Sequence, residues 1–373
     1  MTASRRLRLE GLLAGRPRVG PQTVHFDLAN ACNTRCTTCW HHSPHLLPEH
    51  RPSAAWKRET LGVDAFRAAL ADLVALGGLE AVILSGMGDP TLNDGLYDMV
   101  AAARAADLHV TIITNALRLD VPRLMAAAQP EPARHLDILA SVCGVTEPVW
   151  QRFHAHPRPD GFATMLARLA EFRAAGFRPK HVQVINADNA HELVAMVDFA
   201  DTHAAKSVAF KFASLAHGTE AVGLSEAQKS ELVEVLVPAA MARAEALGVE
   251  TDLAAFVRQV HPGSTRTAPI EDIGCFMGFL YARVTVLGEV LFCCNTQVGV
   301  GRLAGPERPD GQSFAALWNG PAWQARRDAV RAGQYFAGCD QCGKLKQNLK
   351  WSDKLRTTLG EARFLPLIGR GTS

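Results

Sequence analysis

The sequence Cys32-Asn33-Thr34-Arg35-Cys36-Thr37-Thr38-Cys39-Trp40 gathers three of the nine cysteines of this 373-residue chain into one short segment. The preceding residues, VHFDLAN (24–30), are typical of a strand, so we expect the three thiols on the loop that leaves it. Three thiolates can hold three corners of a [4Fe-4S] cube, whereas most protein clusters use four cysteines. The spacing therefore predicts an iron–sulfur cluster with one open iron.

Zinc and haem are the alternatives for this cysteine group. Pairs of cysteines with two residues between them, such as Cys36 and Cys39, occur in zinc sites, but no histidine stands at zinc-finger spacing beside this pair. Attachment of a c-type haem needs a histidine directly after the second cysteine, where Trp40 stands instead. The histidines of the following segment, 41–56, are irregularly spaced and suit a solvated loop that could cover the site.

The pattern Cys-x3-Cys-x2-Cys followed by an aromatic residue resembles the hallmark of the radical S-adenosylmethionine (SAM) superfamily. The resemblance implies that Cys32, Cys36 and Cys39 hold a [4Fe-4S] cluster whose open iron binds SAM, with Trp40 beside the cofactor. One electron from the cluster would cleave the sulfonium and give a 5′-deoxyadenosyl radical that removes a hydrogen atom from the substrate. The electron would come from a donor such as flavodoxin or ferredoxin, and the protein would bind, orient and exclude water.

Downstream of this loop, apolar patterns of helix and strand alternate, which indicates parallel βα units. We expect an α/β fold, namely a partial (β/α)6 radical SAM barrel followed by a small C-terminal β-hairpin and helix. A Ser225 capping box opens the last helix of the barrel, which ends at Gly248. The strands predicted after the first are 81–84, 109–114, 136–142, 181–185 and 207–212, and the helices between them are 63–76, 94–105, 121–128, 162–175 and 191–203.

Candidate cofactor-binding residues follow the carboxyl ends of the predicted strands, where function gathers in such folds. The segment Gly86-Met87-Gly88-Asp89 resembles the family's Gly-Gly-Glu-Pro segment, whose backbone binds the amino group of SAM, with Met87 and Asp89 departing from that pattern. Asn115 resembles the family's Thr-Asn strand end, and Ser141 stands where related enzymes place a polar residue near the SAM ribose. Turn residues and a strand-end hydroxyl remain the alternatives at these positions.

Cys143 follows Ser141 and Val142 at the end of the fourth predicted strand. Its thiol could donate a hydrogen atom to a carbon radical, because an S–H bond is weaker than most C–H bonds. The alternative is an inert cysteine that behaves as a small buried apolar residue.

The remaining cysteines, Cys275, Cys293, Cys294, Cys339 and Cys342, lie in the C-terminal third. Two alternating runs joined at Gly288 predict a hairpin that brings Cys293 beside Cys275. Together with the later Cys-x2-Cys, they resemble the SPASM and twitch auxiliary-cluster domains. The resemblance implies one further [4Fe-4S] cluster held by Cys275, Cys293, Cys339 and Cys342. Cys294 is the alternative to Cys293, and a four-cysteine zinc site is the alternative to the cluster.

Composition narrows the class of protein. Lysine and arginine total 39 against 37 for aspartate and glutamate, which predicts no nucleic-acid partner, and no apolar run has the length of a bilayer span. We expect a cytoplasmic protein without a membrane partner. The predicted domains are a basic extension (1–21), the barrel (22–255), the auxiliary-cluster domain (256–345) and a tail (346–373).

Three functions are compatible with these residues. The leading one is dehydrogenation or epimerisation of a small polar metabolite, since the chain resembles the twitch-type aminocyclitol dehydrogenases in having one auxiliary cluster. The alternative is a maturase that modifies a ribosomal peptide or protein side chain, disfavoured because only residues 1–21 precede the first strand. The third is a non-catalytic zinc protein. The exact substrate, the reductant and the oligomeric state carry no sequence signal.

Overall fold

The computed structural model describes residues 3–260, 267–305 and 310–371. Its centre is one nine-stranded sheet in the order β6-β5-β4-β3-β2-β1-β7-β8-β9. The strands are β1 (Thr23–Asp27), β2 (Ala81–Ser85), β3 (His109–Thr114), β4 (Leu136–Ser141), β5 (Lys180–Ile185), β6 (Ser207–Phe212), β7 (Tyr281–Val284), β8 (Glu289–Leu291) and β9 (Gly299–Arg302).

The first six strands are parallel neighbours in chain order, so the predicted partial (β/α)6 barrel is confirmed. Each predicted helix is present within a few residues of its expected bounds, and helix Glu147–His154 was not predicted. The helices of the barrel region are Ala54–Arg58, Val63–Leu76, Leu96–Ala105, Val121–Ala127, Pro132–His135, Glu147–His154, Gly161–Ala174, Leu193–Thr202, Glu226–Glu231, Val237–Leu247 and Leu253–Phe256, with a π-helical turn at Leu232–Leu236. The capping box at Ser225 and the left-handed Gly248 bound the last long helix as expected.

The two faces of the barrel strands differ in chemistry. The outward residues of β1 to β4, such as Phe26 and Leu84, pack against the helices in the largest apolar cluster. Residues alternate between the faces of a strand. The inward positions of β1, β4 and β6 therefore carry polar side chains, among them Asp27, Asp137 and Lys211. A polar interior enclosed by an apolar shell suits a barrel that binds a polar ligand.

The C-terminal region continues the same sheet. Strand β7 pairs in parallel with β1. Strand β8 pairs antiparallel with β7, and β9 pairs antiparallel with β8. The predicted hairpin at Gly288 is therefore present, and the sheet runs across the predicted boundary at residue 255. The helices of this region are Ile270–Ile273, Met277–Leu280, Phe314–Asn319, Pro321–Arg331, Leu345–Leu359 and Glu361–Phe364.

The N-terminal extension forms helix Ala3–Ala14 and packs on the body of the protein. Arg8 is buried and donates hydrogen bonds to Glu80 and to the carbonyl of Gly78, while Leu12 joins the apolar cluster of the C-terminal helices. Arg8 of this basic segment thus has a structural role. Within the described ranges, no helix is both long and apolar enough to cross a membrane.

A buried ion pair connects the first barrel strand to the C-terminal region. The Arg283 guanidinium donates hydrogen bonds to both carboxylate oxygens of Asp27 at 2.9 to 3.1 Å. The Asp27 side chain is fully buried, and that of Arg283 is 12% exposed. Removing one partner of such a pair leaves an uncompensated charge in the interior.

We therefore expect Asp27→Asn to lower the free energy of unfolding by about 3 to 5 kcal/mol. Asp64→Asn is the matched control, because its carboxylate is 99% exposed and lies 3.6 Å from Arg67. That variant should lose less than about 1 kcal/mol. Urea unfolding followed by circular dichroism measures both, and equal losses would show that the Asp27–Arg283 pair contributes no more than a surface pair.

Candidate active site

The loop that leaves β1 brings its three cysteines together at the mouth of the barrel. The Thr34 hydroxyl lies 3.3 Å from the Cys32 Sγ and 3.5 Å from the Cys36 Sγ, so one side chain contacts both thiols. The Cys39 amide donates a hydrogen bond to the Cys36 carbonyl, which closes a tight turn between the last two cysteines. The predicted grouping of these three residues is therefore present in the fold.

Helix Glu147–His154 holds this loop from the other side. The amides of Arg35 and Thr37 donate hydrogen bonds to the last carbonyls of the helix, on His154 and Phe153. The buried His154 ring contacts the Cys36 Sγ through Nδ1 at 3.2 Å and the Val142 carbonyl through Nε2 at 2.9 Å. Since the helix was not predicted, sequence analysis missed this contact.

The three thiols are largely buried, and this determines their ionisation. Burial raises the pKa of Cys32 to about 12 and raises the pKa of Cys36 and Cys39 as well. Neighbouring thiolates raise the pKa of Cys36 further, which reflects how close the three groups are. Thiolate ligands must lose their protons before they bind metal. Within the described ranges, no three His, Cys, Asp or Glu side chains converge on a point for a single metal ion.

The predicted Gly86–Asp89 segment lies directly against the chain that enters the cysteine loop. The amides of Gly88 and Asp89 donate hydrogen bonds to the carbonyls of Ala29 and Ala31. A Cβ at Gly88 would come within 1.8 Å of the Ala31 carbonyl oxygen, and a Cβ at Gly86 within 2.4 Å of the Ala29 oxygen. The glycines are therefore required by a close backbone approach, which the alternative of a simple turn does not explain.

The Asp89 carboxylate links the loop after β2 to the end of β3 by hydrogen bonds. It is 3% exposed and accepts hydrogen bonds from the Thr91 amide and hydroxyl, the Thr114 hydroxyl and the Asn115 amide. Asn115 in turn donates from its side-chain amide to the Asn33 side chain at 2.7 Å. Because its oxygens are occupied in this way, Asp89 positions the loop.

Two other candidates take different positions. The Trp40 indole donates a hydrogen bond to the Ser214 carbonyl beyond β6, and the ring is 39% exposed at the mouth. Cys143 is 1% exposed, and its thiol is held by the Val182 carbonyl and the Val184 amide of β5. This enclosure favours the inert alternative for Cys143, and Ser141 stands at the end of β4 without a side-chain hydrogen bond in the described structure.

The histidines after the cysteine loop differ from expectation. The His41 ring packs against Trp56 at 5.2 Å between ring centres, and His42 contacts the Asn30 carbonyl through Nε2 at 2.9 Å. Burial lowers the pKa of His41 to about 4. A solvated loop was the wrong expectation for these two residues, because helix Ala54–Arg58 supplies an aromatic side chain that covers them.

The C-terminal cysteines form a second group. The thiolates of Cys339, Cys342 and Cys294 act electrostatically on the Cys275 thiol, whose pKa burial raises. Asn348, fully buried on helix Leu345–Leu359, accepts a hydrogen bond from the Phe276 amide and lies 3.7 Å from the Cys342 Sγ. Elements far apart in sequence therefore hold this group in one place.

Cys293 and Cys294 both belong to the second group. The two thiols shift each other's pKa, raising that of Cys293 and lowering that of Cys294 to about 6, and a Cβ at Gly343 would lie 3.2 Å from the Cys294 Sγ. The sequence argument that strand neighbours face opposite sides does not apply here, because β8 ends at Leu291 and both cysteines lie beyond it. Cys293 as the ligand stays a prediction from its spacing to Gly288.

A cavity of about 620 Å³ runs along the inner face of β4 to β6 and reaches the second cysteine group. Its lining includes Lys211 of β6, Cys342 and Lys344. Lys211 acts electrostatically on Cys143 and on Cys294 of the second cysteine group. Neither lysine had a sequence signal, since the position of Lys211 depends on the strand register and Lys344 precedes helix Leu345–Leu359.

Residues 27–200 match a family model described as the radical SAM superfamily. Streptococcus suis SuiB bound to S-adenosylmethionine has a similar fold, with a TM-score of 0.62 and 16% identity over 88% of this chain and 72% of that one. SuiB bound to precursor peptide SuiA has a TM-score of 0.62 and 16% identity, over 91% of this chain and 74% of that one. Native anSMEcpe with bound AdoMet and Cp18Cys peptide has a TM-score of 0.60 and 12% identity, over 88% of each chain. No curated protein matches the sequence.

Proposed function

We propose that this chain, which belongs to the radical SAM superfamily, is an enzyme. It modifies a side chain of a peptide or protein. Its cofactors are S-adenosylmethionine and [4Fe-4S] clusters. Bound to the cluster and reduced by one electron, SAM supplies a radical able to remove a hydrogen atom from an unactivated carbon. The protein's residues bind, orient and shield these groups.

The observation that carries the proposal is the proximity of three thiols to one another and to the Gly86–Asp89 backbone at the mouth of a partial barrel. We assign Cys32, Cys36 and Cys39 as ligands of the SAM-binding cluster. Met87 and its neighbours, Asn115, Ser141 and Trp40 would line the SAM site. The donor set is thiol alone, with Thr34 in contact with Cys32 and Cys36, which fits an iron–sulfur cluster.

The second cysteine group fits an auxiliary cluster held by Cys275, Cys293, Cys339 and Cys342. With four thiolates this cluster would have no open iron, so it would carry electrons rather than bind substrate. It lies beside the cavity that Lys211 lines, so an electron from a substrate radical in that cavity would have a short path.

A peptide substrate is supported by solved structures of similar fold that contain a peptide. Dehydrogenation or epimerisation of an aminocyclitol or sugar stays a prediction with weaker support. The flavodoxin or ferredoxin donor and the cytoplasmic location also stay predictions.

Deuterium transfer distinguishes the two substrate classes. Cells of the source organism grown in deuterated medium supply an extract, which is added to the reduced enzyme with unlabelled SAM. We expect deuterium in the 5′-deoxyadenosine product, because the hydrogen atom comes from substrate carbon. Digesting the extract with a nonspecific protease should abolish the transfer if the substrate is a peptide. Transfer that survives digestion would assign a small metabolite.

Cys342→Ala tests the auxiliary cluster. We expect iron to fall from about eight to about four per chain, because one of two cubes is lost, while SAM cleavage continues without product. Cys294→Ala is the control and should keep about eight irons. Iron analysis of anaerobically purified protein measures both. Loss of four irons in Cys294→Ala but not in Cys293→Ala would assign the ligand to Cys294.

A further inference from the structure

Another cavity, of about 600 Å³, opens beside the cysteine loop. Its wall includes Cys32, which we assign as a cluster ligand, and the loop residues up to Arg35. The segment after β3 supplies Arg118, and the segment after helix Glu147–His154 supplies Arg158. Among the described residues, this cavity shares no lining residue with the one along β4 to β6. The two cavities can therefore be occupied at the same time.

The cavity beside the cysteine loop is lined by arginines and, within the part of the chain that the structure describes, by no acidic side chain. Arg158 is paired with Asp160, which lies outside the lining. Arg35 and Arg118 are exposed, and neither guanidinium has a carboxylate partner among the described residues. Exposed charges are solvated and need no partner for stability, but they attract and orient an acidic surface. We call Arg35, Arg118 and the cavity that they line the basic face.

Hydrogen bonds hold the backbone of both arginines against the rest of the site. The Arg35 amide donates a hydrogen bond to the His154 carbonyl at 2.9 Å. Asn115, which precedes Arg118 in the segment after β3, donates from its side chain to Asn33 of the cysteine loop at 2.7 Å. The basic face is therefore built from segments that the fold fixes to one another.

The position of the basic face suits the delivery of an electron. The proposed reaction consumes one electron for each SAM that is cleaved, and electron transfer through protein slows steeply with distance. Because Cys32 lines the basic face, a protein seated there lies against a residue that we assign as a cluster ligand. The cavity along β4 to β6 stays open to a substrate while that protein is bound.

We propose that the basic face is the docking site of an acidic one-electron carrier protein, whose carboxylates pair with Arg35 and Arg118. This inference rests on the proposed function and adds the surface that the reductant uses. The carrier gives up one electron and is oxidised. Breaking the carbon–sulfur bond of SAM consumes that electron and yields methionine and the 5′-deoxyadenosyl radical. Attraction between the two surfaces raises the rate of encounter and fixes the orientation of the carrier.

The test compares two reductants of the reconstituted holoenzyme with SAM bound. Photoreduced flavodoxin is an acidic carrier protein, whereas reduced methyl viologen is a small cation that a basic surface does not attract. We expect 5′-deoxyadenosine formation at limiting flavodoxin to slow about tenfold when ionic strength rises from about 0.01 to about 0.15 M, because salt screens the attraction. The rate with methyl viologen should not fall.

The double variant Arg35→Gln/Arg118→Gln should lower the flavodoxin-driven rate about tenfold, and calorimetry should show weaker binding of oxidised flavodoxin. Its iron content and its rate with methyl viologen should not change. Arg118→Lys keeps the charge and should retain most of the flavodoxin-driven rate. Arg363→Gln is the matched control, because Arg363 is exposed on helix Glu361–Phe364, which packs against helix Leu345–Leu359. It should behave as the unchanged protein.

Three outcomes would overturn the proposal. The first is an unchanged flavodoxin-driven rate in the double variant. The second is an equal loss with both reductants, which would assign the arginines to loop structure or substrate binding. The third is a loss in Lys350→Gln instead, because Lys350 is exposed on the helix beside the second cysteine group and would place docking there.

The proposed function is tested separately by the same reactions. A protein that cleaves SAM with methyl viologen but not with flavodoxin loses this inference alone. One that forms no 5′-deoxyadenosine with either reductant loses the proposed function, and calorimetry with oxidised flavodoxin still decides whether the basic face binds the carrier.

Discussion

Cys36→Ala is expected to abolish SAM cleavage. Cys36 is the central thiol of the first group, in contact with Thr34 and His154, and no neighbouring thiol can replace it without moving the loop. A cube with only two protein ligands at this loop should be lost during purification. We therefore expect about four fewer irons per chain and no 5′-deoxyadenosine above the level of a protein-free reaction.

Cys143→Ala is the matched control for this prediction. Cys143 is also buried and lies within electrostatic reach of Cys36, but β5 backbone groups hold its thiol. The control should keep its iron and its SAM cleavage. Iron analysis and chromatography of the reduced reaction measure both variants. Full iron content in Cys36→Ala would remove this residue from the ligand set.

Gly88→Ala is expected to have the second largest effect. The added Cβ would meet the Ala31 carbonyl oxygen at 1.8 Å, and a backbone atom cannot move aside as a flexible side chain can. The segment that leads into the cysteine loop would have to shift, and with it the hydrogen bonds of the Gly88 and Asp89 amides. We expect a loss of about 3 kcal/mol of unfolding free energy and SAM binding reduced at least tenfold.

The control for Gly88→Ala is Gly299→Ala in β9. A Cβ at Gly299 meets nothing within 4 Å, so the same chemical change is made in open space. Its stability should change by no more than about 1 kcal/mol, with SAM affinity unaltered. Equilibrium dialysis with SAM and urea unfolding measure the two effects. Similar results for both variants would mean that the backbone approach at Gly88 is not needed.

The parts of this fold that sequence could predict are those determined by local pattern. The runs at 81–84 and 207–212 are apolar and bounded by turn signals, and each became a strand at nearly the expected bounds. The cysteine loop and the Gly86–Asp89 segment were located because parallel strands place their carboxyl ends on one edge of the sheet.

The parts that sequence could not predict depend on contacts between distant residues. His154 contacts Cys36 across 118 residues, and no local pattern indicates which distant residue it meets. The parallel pairing of β7 with β1 joins residues such as Thr23 and Tyr281, and the Arg283–Asp27 pair joins residues 256 apart in sequence. Cys293 and Cys294 share one side because the strand ends before them, which a strand-period argument does not include.

Formation of 5′-deoxyadenosine by the anaerobically reconstituted protein tests the central claim most directly. The protein is mixed with SAM and a low-potential reductant, and the product is measured by liquid chromatography and mass spectrometry. We predict 5′-deoxyadenosine and methionine in equal amounts, dependent on both the reductant and Cys36. A protein that contains its full iron and still forms no 5′-deoxyadenosine would contradict the account.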